Sequence, residues 1–146
     1  MRVYLDMCSI QRPLDTRSQV RINLEAVAVL GLISLCEDGE LVLIRSEAHV
    51  FEIERNPHPT RRGYALEVIA RATESVITTE AVKVRAEEFN RRGIKPLDAL
   101  HLASAVEAGA EYFCTCDDRL FRRANQVDTG LTRVVTPLEL IKEVSR

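Results

Sequence analysis

The chain has 146 residues, 46% of them hydrophobic and 29% charged, with a formal net charge of −2. That is ordinary globular composition at a length that suits one domain over residues 1–146, and the mild acidity excludes a polyanion binder acting through bulk charge. No apolar run approaches the roughly 20 residues that cross a membrane, and Asp6 interrupts the opening MRVYLDMCSI where a secretory leader needs its apolar stretch, so a cytoplasmic protein is expected.

Val3 to Leu5 is a short apolar run ending at Asp6, as in a buried strand whose last residue emerges into a loop. Met7 to Arg17 contains Pro13 and lacks a helical period, which predicts a loop. Ser18 is placed to cap a long helix carrying Ile22, Leu24, Val27, Leu30, Ile33 and Leu35, with Gly39 beyond its end. Leu41 to Ile44 predicts a second strand. Ser46 then caps a short helix running to Glu54 and closed by Asn56-Pro57.

Pro59 opens a helix with Ala65, Leu66, Ile69 and Ala70 on one side. A weak strand at Val76-Ile77 leads to a helix from Thr79 to Arg92, stopped by Gly93. Pro96 begins LDALHLASAVEA, apolar almost all round and therefore expected to be central, ending at Gly109. Tyr112 to Thr115 is a strand, Asp117 starts a basic helix, and Val134-Val135 is a last short strand. Thr136-Pro137-Leu138-Glu139 is a capping box opening the C-terminal helix. Short apolar strands alternating with helices predict an α/β fold, a three-layer α/β/α sandwich around a mostly parallel sheet.

In such sheets ligands bind past the carboxyl ends of the strands. Asp6 follows the first strand, Asp117 and Asp118 follow the strand at Tyr112, Glu52 lies on the helix after the second strand, and Asp98 opens the apolar helix. Four carboxylates in one cleft raise each other's pKa, and a hard divalent cation relieves that conflict. The same cation polarises a phosphoryl oxygen. Singly, each acid has a plainer reading: Asp98 as a helix-dipole partner, Asp117 or Asp118 as an N-cap, Glu52 as a solvated acid beside Glu47 and Glu54.

The four cysteines, Cys8, Cys36, Cys114 and Cys116, match no common zinc spacing and are expected to be reduced thiols. Seventeen of the twenty basic residues are arginine, including the pairs Arg61-Arg62, Arg91-Arg92 and Arg122-Arg123. Guanidinium forks suit phosphate oxygens, although solvated helix faces account for them equally.

The run KPLDALHLASAVEAGAEYFCTCDDRLFRRA (Lys95 to Ala124) closely resembles the C-terminal motif block of PIN domains, including VapC-type toxins. Asp98 matches the family's helix-opening aspartate and Thr115-Cys116-Asp117 its Thr-x-Asp. VYLDMCSIQRP resembles its first strand and first catalytic aspartate at Asp6, and SEAHVFEIERNP the helix bearing its glutamate at Glu52. The resemblance implies a PIN-like sandwich, one or two Mg²⁺ or Mn²⁺ ions and hydrolysis of single-stranded RNA. It also implies frequent homodimers and, for VapC toxins, an antitoxin occupying the cleft. On that reading Asp6, Glu52, Asp98 and Asp117 are catalytic and metal-binding residues, supported by Thr115, Asp118 and Ser9. Arg12, Arg119, Arg122 and Arg123 are candidates for phosphate contact.

His101, three residues after Asp98, either orients a carboxylate or is a satisfied core histidine. A haloacid-dehalogenase-type phosphatase also begins with an aspartate after its first strand, but its chemistry needs Asp-x-Asp and Cys8 stands at the second place. A non-catalytic PIN-fold interaction or RNA-binding module is the alternative to the enzyme.

Overall fold

Five short strands, β1 (Arg2–Leu5), β2 (Val42–Ser46), β3 (Glu74–Val76), β4 (Tyr112–Cys114) and β5 (Arg133–Val135), form one sheet in the order β3-β2-β1-β4-β5. Every neighbouring pair is parallel. The computed structural model describes residues 1–145. The chain first builds outward from β1 through β2 to β3, then returns to the other side of β1 for β4 and β5. The switch point in strand order therefore lies between β1 and β4, where Leu5 pairs with Cys114.

Alternation along the strands sorts the core into two layers. Val3, Leu5, Leu43, Tyr112 and Cys114 pack on one face, against α1 (Met7–Gln11), α2 (Val20–Glu37), α4 (Pro59–Ile69) and α8 (Pro137–Val144). Tyr4, Ile44, Phe113 and Val134 pack on the other, against α5 (Glu80–Arg91), α6 (Pro96–Glu107) and α7 (Asp118–Ala124). α3 (Glu47–Arg55) touches α4, α6 and β2. The result is a three-layer α/β/α sandwich whose central strands β1 and β4 are covered on both faces, hence their apolar runs. α6 is central as expected, burying Ala99, His101 and Leu102 through Ala105. No helix among the described residues is long and apolar enough to cross a membrane.

Three local expectations need correction. The predicted loop after Asp6 is α1 followed by a 3₁₀ turn at Arg12–Leu14, because Asp6 caps a helix too short to display a 3.6-residue period. α2 starts at Val20 without a side-chain cap, so Ser18 does not hold its N-terminus. Its buried stripe is Ala26, Val29, Leu32, Ile33 and Cys36, while Leu24, Val27 and Leu30 are exposed. Leu66 on α4 is likewise exposed, and Val68 takes the buried place. The capping boxes at Ser46 and Thr136 are both formed, the first closed by His49 where Glu or Gln is usual.

Candidate active site

The two strands flanking the switch point are each followed by an aspartate that caps the next helix. Asp6 Oδ1 accepts from the Ser9 amide at 2.9 Å, and Asp117 Oδ1 accepts from the Leu120 amide at 3.0 Å. An N-cap fixes a carboxylate's direction while using one of its oxygens. Thr115 Oγ1 accepts the Asp117 amide at 3.0 Å, and the Thr115 hydroxyl also bonds to the Asp6 carboxyl, so it ties the two aspartates together. Ser9 is buried and donates its hydroxyl to the Cys114 carbonyl at 3.1 Å, which pins α1 to the end of β4.

Asp6 is 3% exposed, and burial pushes its pKa up to about 6, against the opposing pull of hydrogen bonds from Thr115 and Ser9 and of His101. Asp98, in the first turn of α6, is raised by burial and next by Asp117, with Glu52 adding to the repulsion and His101 opposing it. The Cys8 thiol is pushed up by burial and then by Asp6, Asp117 and Asp98 together, so α1 carries it among three carboxylates. The four predicted acids thus share one electrostatic neighbourhood. Among the described residues no three His, Cys, Asp or Glu side chains form a ready-made cage for a cation.

Asp98 and Asp117 line a narrow cleft with Ile94, Lys95, Arg119 and Arg123. Glu52 opens on a different depression, beside Cys8, Gln11, Arg12 and Asn56. It is held from behind. His101 Nε2 stands 2.8 Å from Glu52 Oε1, His101 Nδ1 is 2.6 Å from Tyr4 Oη, and Tyr4 Oη is 2.7 Å from Ser46 Oγ.

His49 packs beside this chain without joining it. Its Nδ1 accepts the Ser46 amide at 3.1 Å, so the ring proton sits on Nε2 and is donated to the Leu5 carbonyl at 2.7 Å. Burial lowers its pKa to about 3 with His101 adding to the effect, so this imidazole is neutral. Because Leu5 precedes Asp6, His49 fixes the strand end from which Asp6 emerges. Tyr4 and His49 were missed in the sequence. Tyr4 looks like any apolar strand residue, and the one available sign of His49 was its capping-box spacing from Ser46.

The predicted arginines divide. Arg12 bonds to Asp15 at 2.9 Å, Glu25 at 3.2 Å and the Cys116 carbonyl at 3.4 Å, which commits it to holding the scaffold. Arg21 joins it on the same carbonyl at 3.4 Å and pairs with Asp118 at 2.6 Å, so two guanidinium groups strap the loop that carries Asp117. The bond from Arg21 lowers the Asp118 pKa, and that side chain is turned to α2. Arg119, Arg122 and Arg123 line an open surface of α7 and make no ion pair among the described residues. Arg123 also crosses Gly93, where a Cβ would meet its Nη1 at 2.7 Å.

A protein-family model described as PIN domain matches residues 15–126. The chain belongs to the PIN domain family. PIN domains are in general nucleases, which accords with carboxylates gathered at the strand ends. The match begins after Asp6, so that residue's assignment rests on its place beside Asp117 rather than on the matched span. No curated protein matches the chain. Among solved structures it is similar to a chain in the crystal structure of VapBC2 from Rickettsia felis bound to a DNA fragment from their promoter. That similarity has a TM-score of 0.58 at 11% identity and covers 92% of this chain and 98% of that one, a likeness of fold.

Proposed function

We propose that this PIN domain is a Mg²⁺- or Mn²⁺-dependent endoribonuclease that hydrolyses phosphodiester bonds of single-stranded RNA. The observation that carries the reading is the pair of capped aspartates flanking the switch point, with the Asp98 carboxylate repelled by Asp117 beside them. A donor set of carboxylates, two of them raised by burial, fits a hard cation and not zinc.

Asp6, Asp98, Asp117 and Glu52 would hold the ion. Bound there, it would neutralise the carboxylates and polarise a phosphoryl oxygen of the substrate. Asp6 and Asp117 present carboxylates whose directions are set by their caps, and Thr115 keeps the two in register. Arg119 and Arg123 line the same cleft as Asp98 and Asp117 and bind backbone phosphates, with Arg122 extending the basic surface. Single-stranded RNA suits this open layout, since a flexible chain can bend between the basic surface of α7 and the acids.

Two partners complete the proposal. The likeness to a chain of VapBC2 supports a toxin role, with a small antitoxin covering the cleft. Exposed Leu66, Ile77 and Val84 between Pro59 and Arg92 support a homodimer. The test of the enzymatic reading is cleavage of a labelled single-stranded RNA by the purified protein, with Mn²⁺ and with EDTA. Cleavage that requires Mn²⁺ is expected. RNA binding without cleavage under either condition would favour a non-catalytic module.

A further inference from the structure

Asp6 and Asp117 are aimed by the helix turns they cap, but Glu52 sits mid-helix on α3 at the end of a longer side chain. Its hydrogen-bond partner is His101 on α6, a residue 49 positions away that is 1% exposed. The bond therefore reaches from a fully enclosed imidazole to a carboxylate that is 33% exposed. An ionised carboxylate only accepts, so the Nε2 atom facing it at 2.8 Å must carry the proton. The other ring nitrogen, Nδ1, lies 2.6 Å from the Tyr4 hydroxyl, so both nitrogens of His101 are engaged.

The Tyr4 hydroxyl is in turn 2.7 Å from Ser46 Oγ, which accepts the Ala48 amide at 3.2 Å. The series runs from the capped turn of α3 through β1 and α6 and back to α3, three residues past His49. Neither nitrogen of His49 is available to interrupt it, because both are already used. The Tyr4 ring is fixed by stacking on His49 at 4.5 Å and on Phe113 at 5.5 Å between ring centres.

We infer that His101 is a positioning residue for Glu52, held by Tyr4 and Ser46 so that Nε2 donates to the Glu52 carboxylate. The inference rests on the proposed metal reading only in taking Glu52 as a ligand; the hydrogen-bonded series stands without it. A histidine that merely satisfied the core would need an acceptor at Nε2, but it would not matter to cation binding which donor Glu52 meets. That difference is measurable. Groups that hydrogen-bond a ligating carboxylate from behind commonly change metal affinity 10- to 100-fold when removed.

The experiment combines ¹⁵N spectra of the histidine rings with titration of free Mn²⁺ by electron paramagnetic resonance. The wild type should show His101 with its proton on Nε2. His101→Leu should weaken Mn²⁺ binding about 10-fold or more, and His101→Gln, which keeps an N–H donor, should recover most of it. Tyr4→Phe keeps the aromatic stack and should fold. Its His101 ring should lose its fixed setting and its Mn²⁺ affinity should fall between wild type and His101→Leu, so the test survives if the leucine variant does not fold. A His101 Nε2 that carries no proton, or equal Mn²⁺ affinity in wild type and Tyr4→Phe, would overturn the inference. A wild type that binds no Mn²⁺ would instead remove the ribonuclease reading, and the ring spectra would still decide whether His101 donates to Glu52.

Discussion

Asp6 is buried and yet must be ionised to hold a cation, and its pKa of about 6 records the conflict. The folded protein binds this proton more tightly than an unfolded chain with its carboxyl near 3.8. The stability it contributes is therefore present below about pH 4 and is lost as the pH rises to about 6. Asp6→Asn keeps an acceptor for the Ser9 amide and should raise the melting temperature of the protein in EDTA at pH 7. The ceiling is about 3 kcal/mol, and the gain should shrink toward pH 4. Thermal unfolding across that range checks it, and no gain at pH 7 would mean that the carboxylate is not strained by burial. His49 has the opposite sign, since a base held at about 3 withdraws stability as the pH falls below its ordinary 6.5.

The doubled aspartate resolves the same way. Asp117→Ala should abolish cleavage, whereas Asp118→Ala should break an exposed pair with Arg21 and change stability by no more than about 1 kcal/mol, with activity retained. Kinetics of the two variants on one RNA decide between them. Asp6 and Asp117 were legible because a carboxylate straight after an apolar strand has a defined place. Tyr4 and His49 were not, because a buried polar series joins residues far apart in the chain and leaves no local period.

At the scale of elements, α7 divides its labour between its ends. Asp117 caps the first turn toward the acids, while Arg122 and Arg123 stand in the last turn, open to solvent and free of ion pairs among the described residues. Replacing both arginines with alanine should weaken RNA binding and flatten its dependence on salt, because fewer counterions are released. Cleavage of bound RNA should be little changed. Binding isotherms at several salt concentrations test this, and an unaltered slope would place the phosphates elsewhere. The helices with clear stop and start signals, such as α8 with its capping box, were readable. The buried face of α2 was not, because the helix is apolar on nearly every side and so offers no phase. Its one buried acid, Glu25, faces inward to meet Arg12 and Arg21, against the usual placing of charge.

For the whole molecule, strand–helix alternation announced a parallel sheet, but not the order β3-β2-β1-β4-β5. That order depends on which neighbours cover both faces of β1, a tertiary fact, and it alone sets Asp6 beside Asp117. Carboxylates that repel one another in the metal-free state should be relieved by Mg²⁺ or Mn²⁺. A cation at a hundredfold excess over its Kd adds about 2.7 kcal/mol through mass action. The resulting rise in melting temperature should vanish in a protein lacking both Asp6 and Asp117, and an equal rise in both proteins would indicate a general ionic effect. The central claim is tested most directly by single-turnover cleavage of one single-stranded RNA in Mn²⁺, comparing wild type with Asp6→Asn at matched RNA affinity. The account predicts that the variant binds the RNA and does not cut it; an Asp6→Asn protein that cuts at the wild-type rate would contradict it.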